Sequence, residues 1–227
     1  MIISSNRPVR RIGLSMRIIS EKNYSELRDS IAQDWGEFLK AVIPEVAWMG
    51  IPNVGTSARE FVEAWELDAL ILTGGDDIGK TPARDETERA LLSYFTKRKM
   101  PVYGVCRGMQ LIHTEYGGEL TTADQKLHVS ARHSVHFTRE IGGYAIDEKR
   151  VTVNSFHTLA IEADQLAEGL IPLAISDEGH VEAMSATSVP LVAVMWHPER
   201  ELMPNEWDRS ILRQFFGYSS DKVPLAS

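Results

Sequence analysis

The residues with the means to do chemistry stand at two distant places in the chain. The single cysteine, Cys106, lies within Pro101 to Gln110 (PVYGVCRGMQ), with Gly104 and Gly108 two residues to either side. Val102, Tyr103 and Val105 read as a short buried strand, and Arg107 as the first residue of a helix. A nucleophile at such a strand-to-helix elbow needs small neighbours, because the backbone there is cramped and strained. At a helix N-terminus the unpaired N–H groups and the dipole favour thiolate over thiol. A lone cysteine is more often an inert core residue; the flanking glycines favour the nucleophile. A thiolate that attacks a carbonyl needs a base to carry its proton, and the base needs an orienting acceptor. Trp196-His197-Pro198-Glu199 offers both, since the proline fixes a turn that lets His197 and Glu199 face one space.

These groups need a frame that brings positions 106 and 197 together. Arg11 to Met16 reads as a first strand. From Tyr24 to Ala41, Leu27, Ile31, Trp35, Phe38 and Leu39 recur at helical spacing and predict an amphipathic helix that Pro44 stops. Val46 to Ile51 is a second strand. A helix capped by Thr56 or Ser57 then runs through Trp65, with Phe61, Val62 and Trp65 inward. Asp68 to Thr73 is nearly all apolar, as suits a parallel strand covered on both faces. It runs into Gly74-Gly75-Asp76-Asp77, a tight turn or a place where backbone N–H groups face a ligand. Asp85 to Lys99 is a helix whose acidic start and basic end complement its dipole. The elbow helix closes at Gly117-Gly118.

Strand and helix alternate throughout this half, which predicts an α/β, flavodoxin-like three-layer fold: a mostly parallel sheet with helices on both faces. In such sheets ligands bind beyond the carboxyl ends of the strands, where Gly74-Gly75 and Cys106 would sit. The second half reads as short strands at 134–139, 151–153, 171–176, 180–185 and 191–195. Some are added antiparallel, and the last returns to the main sheet. A final helix over Asn205 to Phe216 presents Trp207, Ile211, Leu212 and Phe215. Residues 1–10 read as a ragged lead-in and those after Phe216 as a loose tail. With no repeat or linker, residues 1–227 are expected to form one domain.

Bulk properties narrow the function. The chain has 227 residues, 43% hydrophobic and 25% charged, which suits a globular domain, and its net charge of −8 argues against nucleic acid as main partner. One cysteine allows no internal disulfide. No apolar run suits a signal peptide or a membrane span, so a cytoplasmic location is expected. His128, His133 and His136 straddle a strand, where His133 and His136 face opposite sides, and no local carboxylate completes a set; no metal and no cofactor are expected.

Gly104 to Gln110 (GVCRGMQ) followed by Met195 to Glu199 (MWHPE) resembles the class I glutamine amidotransferase family, in its branch of free-standing γ-glutamyl hydrolases. The resemblance runs from about Arg11 to Phe216. It implies that Cys106 is the nucleophile, His197 the general acid/base and Glu199 the group that orients His197. It further implies a γ-glutamyl thioester on Cys106. The oxyanion formed on attack needs N–H donors: that of Arg107 comes with the elbow, and that of Gly75, beside Gly74 on the pocket wall, is the second. Gln110 lies one helical turn past Cys106 and can reach the glutamyl group. The Arg107 side chain would attract an anionic substrate or cover the helix end. Arg17 and Tyr24 approach the same mouth. The family's Asn-Ser-x-His segment, here Asn154-Ser155-Phe156-His157, implies that Ser155 and His157 bind substrate.

Hydrolases of γ-glutamylated polyamine or GABA products carry a longer loop after the glycines than Asp76 to Lys80, and different residues where Thr158-Leu159 stand here. The short loop, with a helical segment over Asp29 to Trp35, looks most like hydrolases of γ-glutamyl-CDP-amidate, which act in making the phosphoramidate decoration of capsular polysaccharides. Three readings follow: a self-standing hydrolase of a small γ-glutamyl amide; a glutaminase handing ammonia to a separate synthetase chain; and a non-catalytic binding relative, which would have no use for the base and its orienter. A homo-oligomer is left open.

Overall fold

The computed structural model describes residues 8–140 and 150–219. In chain order these residues form β1 (Arg11–Ser15), β2 (Arg17–Ser20), β3 (Leu27–Ser30), α1 (Asp34–Val42), β4 (Ala47–Ile51), α2 (Ala58–Ala64), β5 (Ala69–Leu72) and α3 (Pro82–Lys97). There follow β6 (Val102–Val105), α4 (Arg107–Glu115), β7 (Thr121–Thr122), α5 (Gln125–His128), β8 (Val129–Phe137), β9 (Arg150–Phe156) and β10 (Leu159–Ala160). The chain closes with β11 (Leu170–Ser176), β12 (Val181–Ala186), β13 (Leu191–Val194) and α6 (Glu206–Phe215). One sheet holds nine strands in the order β4-β1-β5-β6-β13-β12-β11-β8-β9. The first five pair in parallel and carry the flavodoxin-like 2-1-3-4-5 order. The last four are added antiparallel.

The apolar runs of the central strands follow from cover on both faces. In β5, Ala69 and Ile71 face a core shared with Trp35 and Phe38 of α1 and with Ile211 and Phe215 of α6. Leu70 and Leu72 face the opposite core with Val62 of α2, Leu91 and Phe95 of α3, and Met109 and Ile112 of α4. Alternating residues of one strand thus serve two cores, which leaves no position for a polar side chain. Among the described residues no helix is long and apolar enough to cross a membrane.

Two expectations fail. The stretch 24–33 is not helical: β2 and β3 form an antiparallel hairpin, and α1 begins only at Asp34. Leu27, the first member of the supposed stripe, is 71% exposed. The hairpin is gripped from a distance, because Asn53 donates to Asp29 from its backbone N–H (2.8 Å) and its side chain (2.6 Å). Arg28 meanwhile gathers Glu21, Glu26 and Tyr24. No local periodicity reports such contacts, and of the segment Asp29 to Trp35 only the end is helical. Trp65 is also half-exposed rather than inward. Of the expected lead-in and tail, residues 1–7 and 220–227 lie outside the described residues. Val9, by contrast, is buried, and its N–H donates to the Phe216 carbonyl at 3.0 Å.

Candidate active site

Strand ends deliver the chemistry. Cys106 sits between β6 and α4 at φ 51°, ψ −104°, a conformation costly for any residue with a side chain. Close packing explains the flanking glycines. A Cβ on Gly108 would lie 2.2 Å from the Leu72 carbonyl oxygen, and one on Gly104 2.7 Å from Ile112. Helix α4 therefore rests directly on the backbone of β5, which is what fixes the height of the elbow.

His197 follows β13 and is buried. Its Nδ1 is 2.6 Å from Glu199 Oε1, and Cys106 lies close enough to act on the ring. Burial pulls its pKa down, but the neighbouring Cys106, followed by the hydrogen bond and charge of Glu199, outweighs burial and pushes it up to about 9. The imidazole thus holds its proton beside the Glu199 carboxylate. Its ring lies over Gly74, where a Cβ would stand 2.5 Å from Cε1.

The structure therefore brings Cys106, His197, Glu199 and Gly74 together from three strand ends. The Arg107 N–H is the first of α4, one of the helix's four donors with no intrahelical acceptor. The Gly75 N–H makes no hydrogen bond among the described residues. Beneath these two donors lies a buried ionic network. Arg84 donates to the Thr73 and Gly74 carbonyls (2.9 and 3.1 Å) and pairs with Glu88 at 2.8 Å. Arg107 pairs with Glu88 and Asp85, whose other oxygen accepts the Gly79 N–H at 2.7 Å. The acidic start of α3 therefore does more than complement a dipole, and the Arg107 side chain is turned inward, away from any substrate. A Cβ on Gly75 would meet Arg84 Nη1 at 2.2 Å, so glycine is required for the network to reach the strand end.

Asn154 holds a position that sequence reasoning missed. It donates to the His197 carbonyl and accepts the His197 N–H, both at 2.8 Å, so β9 clamps the backbone of His197 from both sides. Trp196, one residue earlier, is anchored through its indole N–H to Asp208 of α6 at 3.0 Å. The only local signal is the strand alternation that points Asn154 and Ser155 to opposite faces.

The remaining expected residues lie elsewhere. Gln110 is buried and donates to the Leu159 carbonyl at 3.2 Å. Tyr24 belongs to the hairpin, bonded to Arg28. Arg17 does line a small cavity together with Gly74, His197, Glu199 and Arg200. Ser155 and His157 are not free to bind substrate as expected. The Ser155 hydroxyl donates to the His128 carbonyl at 2.7 Å, and the His157 ring is committed to His128 and the Leu159 carbonyl. No carboxylate local in sequence joins the histidines, but a distant one does, so the expectation that they form no set is overturned. Glu182, from distant β12, stands among His128, His133 and His157, whereas His136 turns outward to Asp177.

Comparison with known proteins agrees with this architecture. Residues 12–199 match the family described as Peptidase C26. The chain belongs to that family. It is accordingly a class I glutamine amidotransferase-like enzyme that hydrolyses an amide C–N bond. This C26 chain is 27% identical over 213 residues to the gamma-glutamyl-CDP-amidate hydrolase of Campylobacter jejuni subsp. jejuni, covering 90% of this chain and 96% of that one. It is 31% identical over 185 residues to the glutamine-hydrolysing GMP synthase subunit of Methanosarcina acetivorans, covering 77% and 88%. The crystal structure of a glutamine amidotransferase from Thermotoga maritima shares the fold, with a TM-score of 0.60 at 13% identity over 86% of this chain and 77% of that one.

Proposed function

We propose that this chain releases glutamate from a γ-glutamyl nucleotide amidate, with γ-glutamyl-CDP-amidate as the substrate to try first. Cys106 attacks the γ-carbonyl carbon, and the N–H groups of Gly75 and Arg107 receive the oxyanion. His197 gives its proton to the departing nitrogen as the C–N bond breaks, leaving a γ-glutamyl thioester. It then takes a proton from water, which attacks the thioester, and the Cys106 thiolate leaves to regenerate the starting state with free glutamate. Glu199 keeps the ring aimed and its charge matched through both steps.

The observation that carries this reading is the buried imidazole of His197, its Nδ1 2.6 Å from Glu199 Oε1, set beside Cys106 at its strained elbow. The leaving group is argued from charge. Arg17, which also pairs with Asp76 at 3.2 Å, and Arg200 border the cavity that contains His197, and their guanidiniums offer a phosphorylated leaving group hydrogen-bond donors that a cationic polyamine cannot use. The test measures glutamate released by the isolated chain from γ-glutamyl-CDP-amidate, γ-glutamylputrescine and glutamine. The nucleotide amidate should be turned over fastest, and Cys106→Ala should bind it without turnover. Preference for the polyamine derivative, or full activity in Cys106→Ala, refutes the proposal.

The similarity to a GMP synthase component supports a second reading, in which the chain is a glutaminase serving a separate synthetase. Glutamine turnover that appears only when another protein is added would favour it.

A further inference from the structure

Outside the machinery just described, four ionisable side chains converge on one buried point. His128 ends α5, His133 lies on β8, His157 follows β9 and Glu182 lies on β12. Each offers one ligand atom, and the four atoms lie within 4.8 Å of one another. Within the set, His128 Nδ1 to His157 Nε2 is 3.2 Å, His133 Nε2 to Glu182 Oε2 is 3.5 Å, and His157 Nε2 to Glu182 Oε1 is 3.6 Å. Ligands around a tetrahedral ion at zinc–nitrogen distance are separated by about 3.3–3.4 Å. The 3.2 Å between the two imidazole nitrogens falls near that figure, and Glu182 turns one oxygen to His133 at 3.5 Å and the other to His157 at 3.6 Å, so that either oxygen can supply the fourth ligand.

As a purely protein cluster the arrangement is poorly satisfied. Both oxygens of Glu182 are buried without a hydrogen-bond partner, as are both ring nitrogens of His133 and Nε2 of His128. The imidazoles at 3.5 and 3.6 Å act on the carboxylate by charge, because those separations are at or beyond hydrogen-bond reach. A buried carboxylate without donors is expensive, and a cation at the centre of the four atoms removes the expense. The outer contacts are those that metal-binding histidines make. His157 Nδ1 donates to the Leu159 carbonyl at 3.0 Å, which leaves Nε2 as a lone pair facing inward. The far nitrogen of His128, Nε2, stands 3.9 Å from Glu178 Oε2. His180, the remaining ionisable neighbour, turns its Nε2 toward Glu162 at 3.5 Å.

We infer that His128, His133, His157 and Glu182 bind one tetrahedral divalent metal ion, zinc by donor chemistry. Three imidazoles and one carboxylate suit zinc among the divalent ions, and four protein ligands leave no position for water, which makes the site structural rather than catalytic. Its location says what it holds. The ion would join α5, β8, β12 and the end of β9, and so fasten the antiparallel half of the sheet to itself. Two short links connect it to the hydrolytic centre. The Glu182 carbonyl accepts the Met195 N–H at 2.7 Å, two residues before His197, and the Leu159 carbonyl is shared by His157 and Gln110. Asn154, which clamps His197, lies on the same strand that leads to His157.

The inference does not depend on the substrate, so it is tested without turnover. The full chain, grown with zinc and then dialysed, is analysed for metal by mass spectrometry. One zinc per chain is expected in the wild type and in Cys106→Ala, and none in His133→Gln or Glu182→Gln. Wild-type chain stripped by chelator should gain roughly 5–10 °C in Tm when Zn2+ is restored at a hundred times its Kd. Stripped chain given Co2+ should develop the intense visible bands of a tetrahedral ion. Zinc content unchanged in Glu182→Gln, no uptake of Zn2+ or Co2+ by the stripped wild type, or a weak six-coordinate Co2+ spectrum overturns the inference. Because the stripped wild type is read alongside the variants, a variant that fails to fold does not rescue it.

Discussion

Gly74→Ala should disable the enzyme by displacing one ring. The added methyl would stand 2.5 Å from His197 Cε1, whereas carbon atoms in contact rest about 3.5–4.0 Å apart, so about 1 Å of movement is demanded. The ring has little freedom to supply it. Glu199 holds Nδ1 at 2.6 Å, and Asn154 pins the His197 backbone from both sides. The imidazole must therefore swing away from Cys106. A misplacement of about 1 Å in a proton carrier costs on the order of 10²-fold in rate, equivalent to about 2.7 kcal/mol of barrier. The assay is steady-state glutamate release with Tm measured in parallel, in the wild type, Gly74→Ala, His197→Ala and the double variant. The kcat of Gly74→Ala should fall about 100-fold with KM little changed. The methyl should cost stability in the wild-type background and none where His197 is already alanine, a coupling that only direct contact produces. Wild-type kcat in Gly74→Ala, or the same loss of Tm in both backgrounds, would show that the imidazole does not lie where the reasoning puts it.

Glu199→Gln removes a charge that helps hold the His197 proton. The raised pKa keeps His197 protonated up to about pH 9, so activity that needs a proton donor should fall only as pH rises through that value. In Glu199→Gln the alkaline limb of kcat against pH should move toward neutrality, and turnover should drop less than in His197→Ala. An unmoved limb or the reverse order of losses counts against their roles. Gly108→Ala tests the elbow's seat. In an unconstrained helix the change would stabilise by up to about 1 kcal/mol. Here the methyl meets the Leu72 carbonyl at 2.2 Å, so a loss of about 1–3 kcal/mol is expected, read by urea unfolding. A gain in stability would contradict the close packing of α4 on β5.

Local pattern was enough for some of this molecule. The alternation of apolar strand and amphipathic helix up to Glu115 reports parallel pairing, because a strand covered on both faces admits no polar residue and a helix covered on one face shows a period near 3.6. Gly104-Val105-Cys106-Arg107-Gly108 announces its turn by its small residues, although what excludes larger ones, the Leu72 carbonyl and the Ile112 side chain, lies outside those five residues. Other features depend on groups far apart in the chain. The hairpin at 17–30 is set by Asn53, and the acidic start of α3 by a guanidinium nineteen and twenty-two residues away. The position of His197 is set by Asn154, forty-three residues earlier. His128 and His133 read as lacking a completed set because Glu182 stands in a strand whose other residues are all buried, and only the closing of the sheet carries it, with His157, to them. Sequence by itself determined which elements form, since those forces act between near neighbours. Tertiary structure alone decided which charges meet, because burial removes the water that would otherwise separate them and leaves each ion to find its partner across the fold.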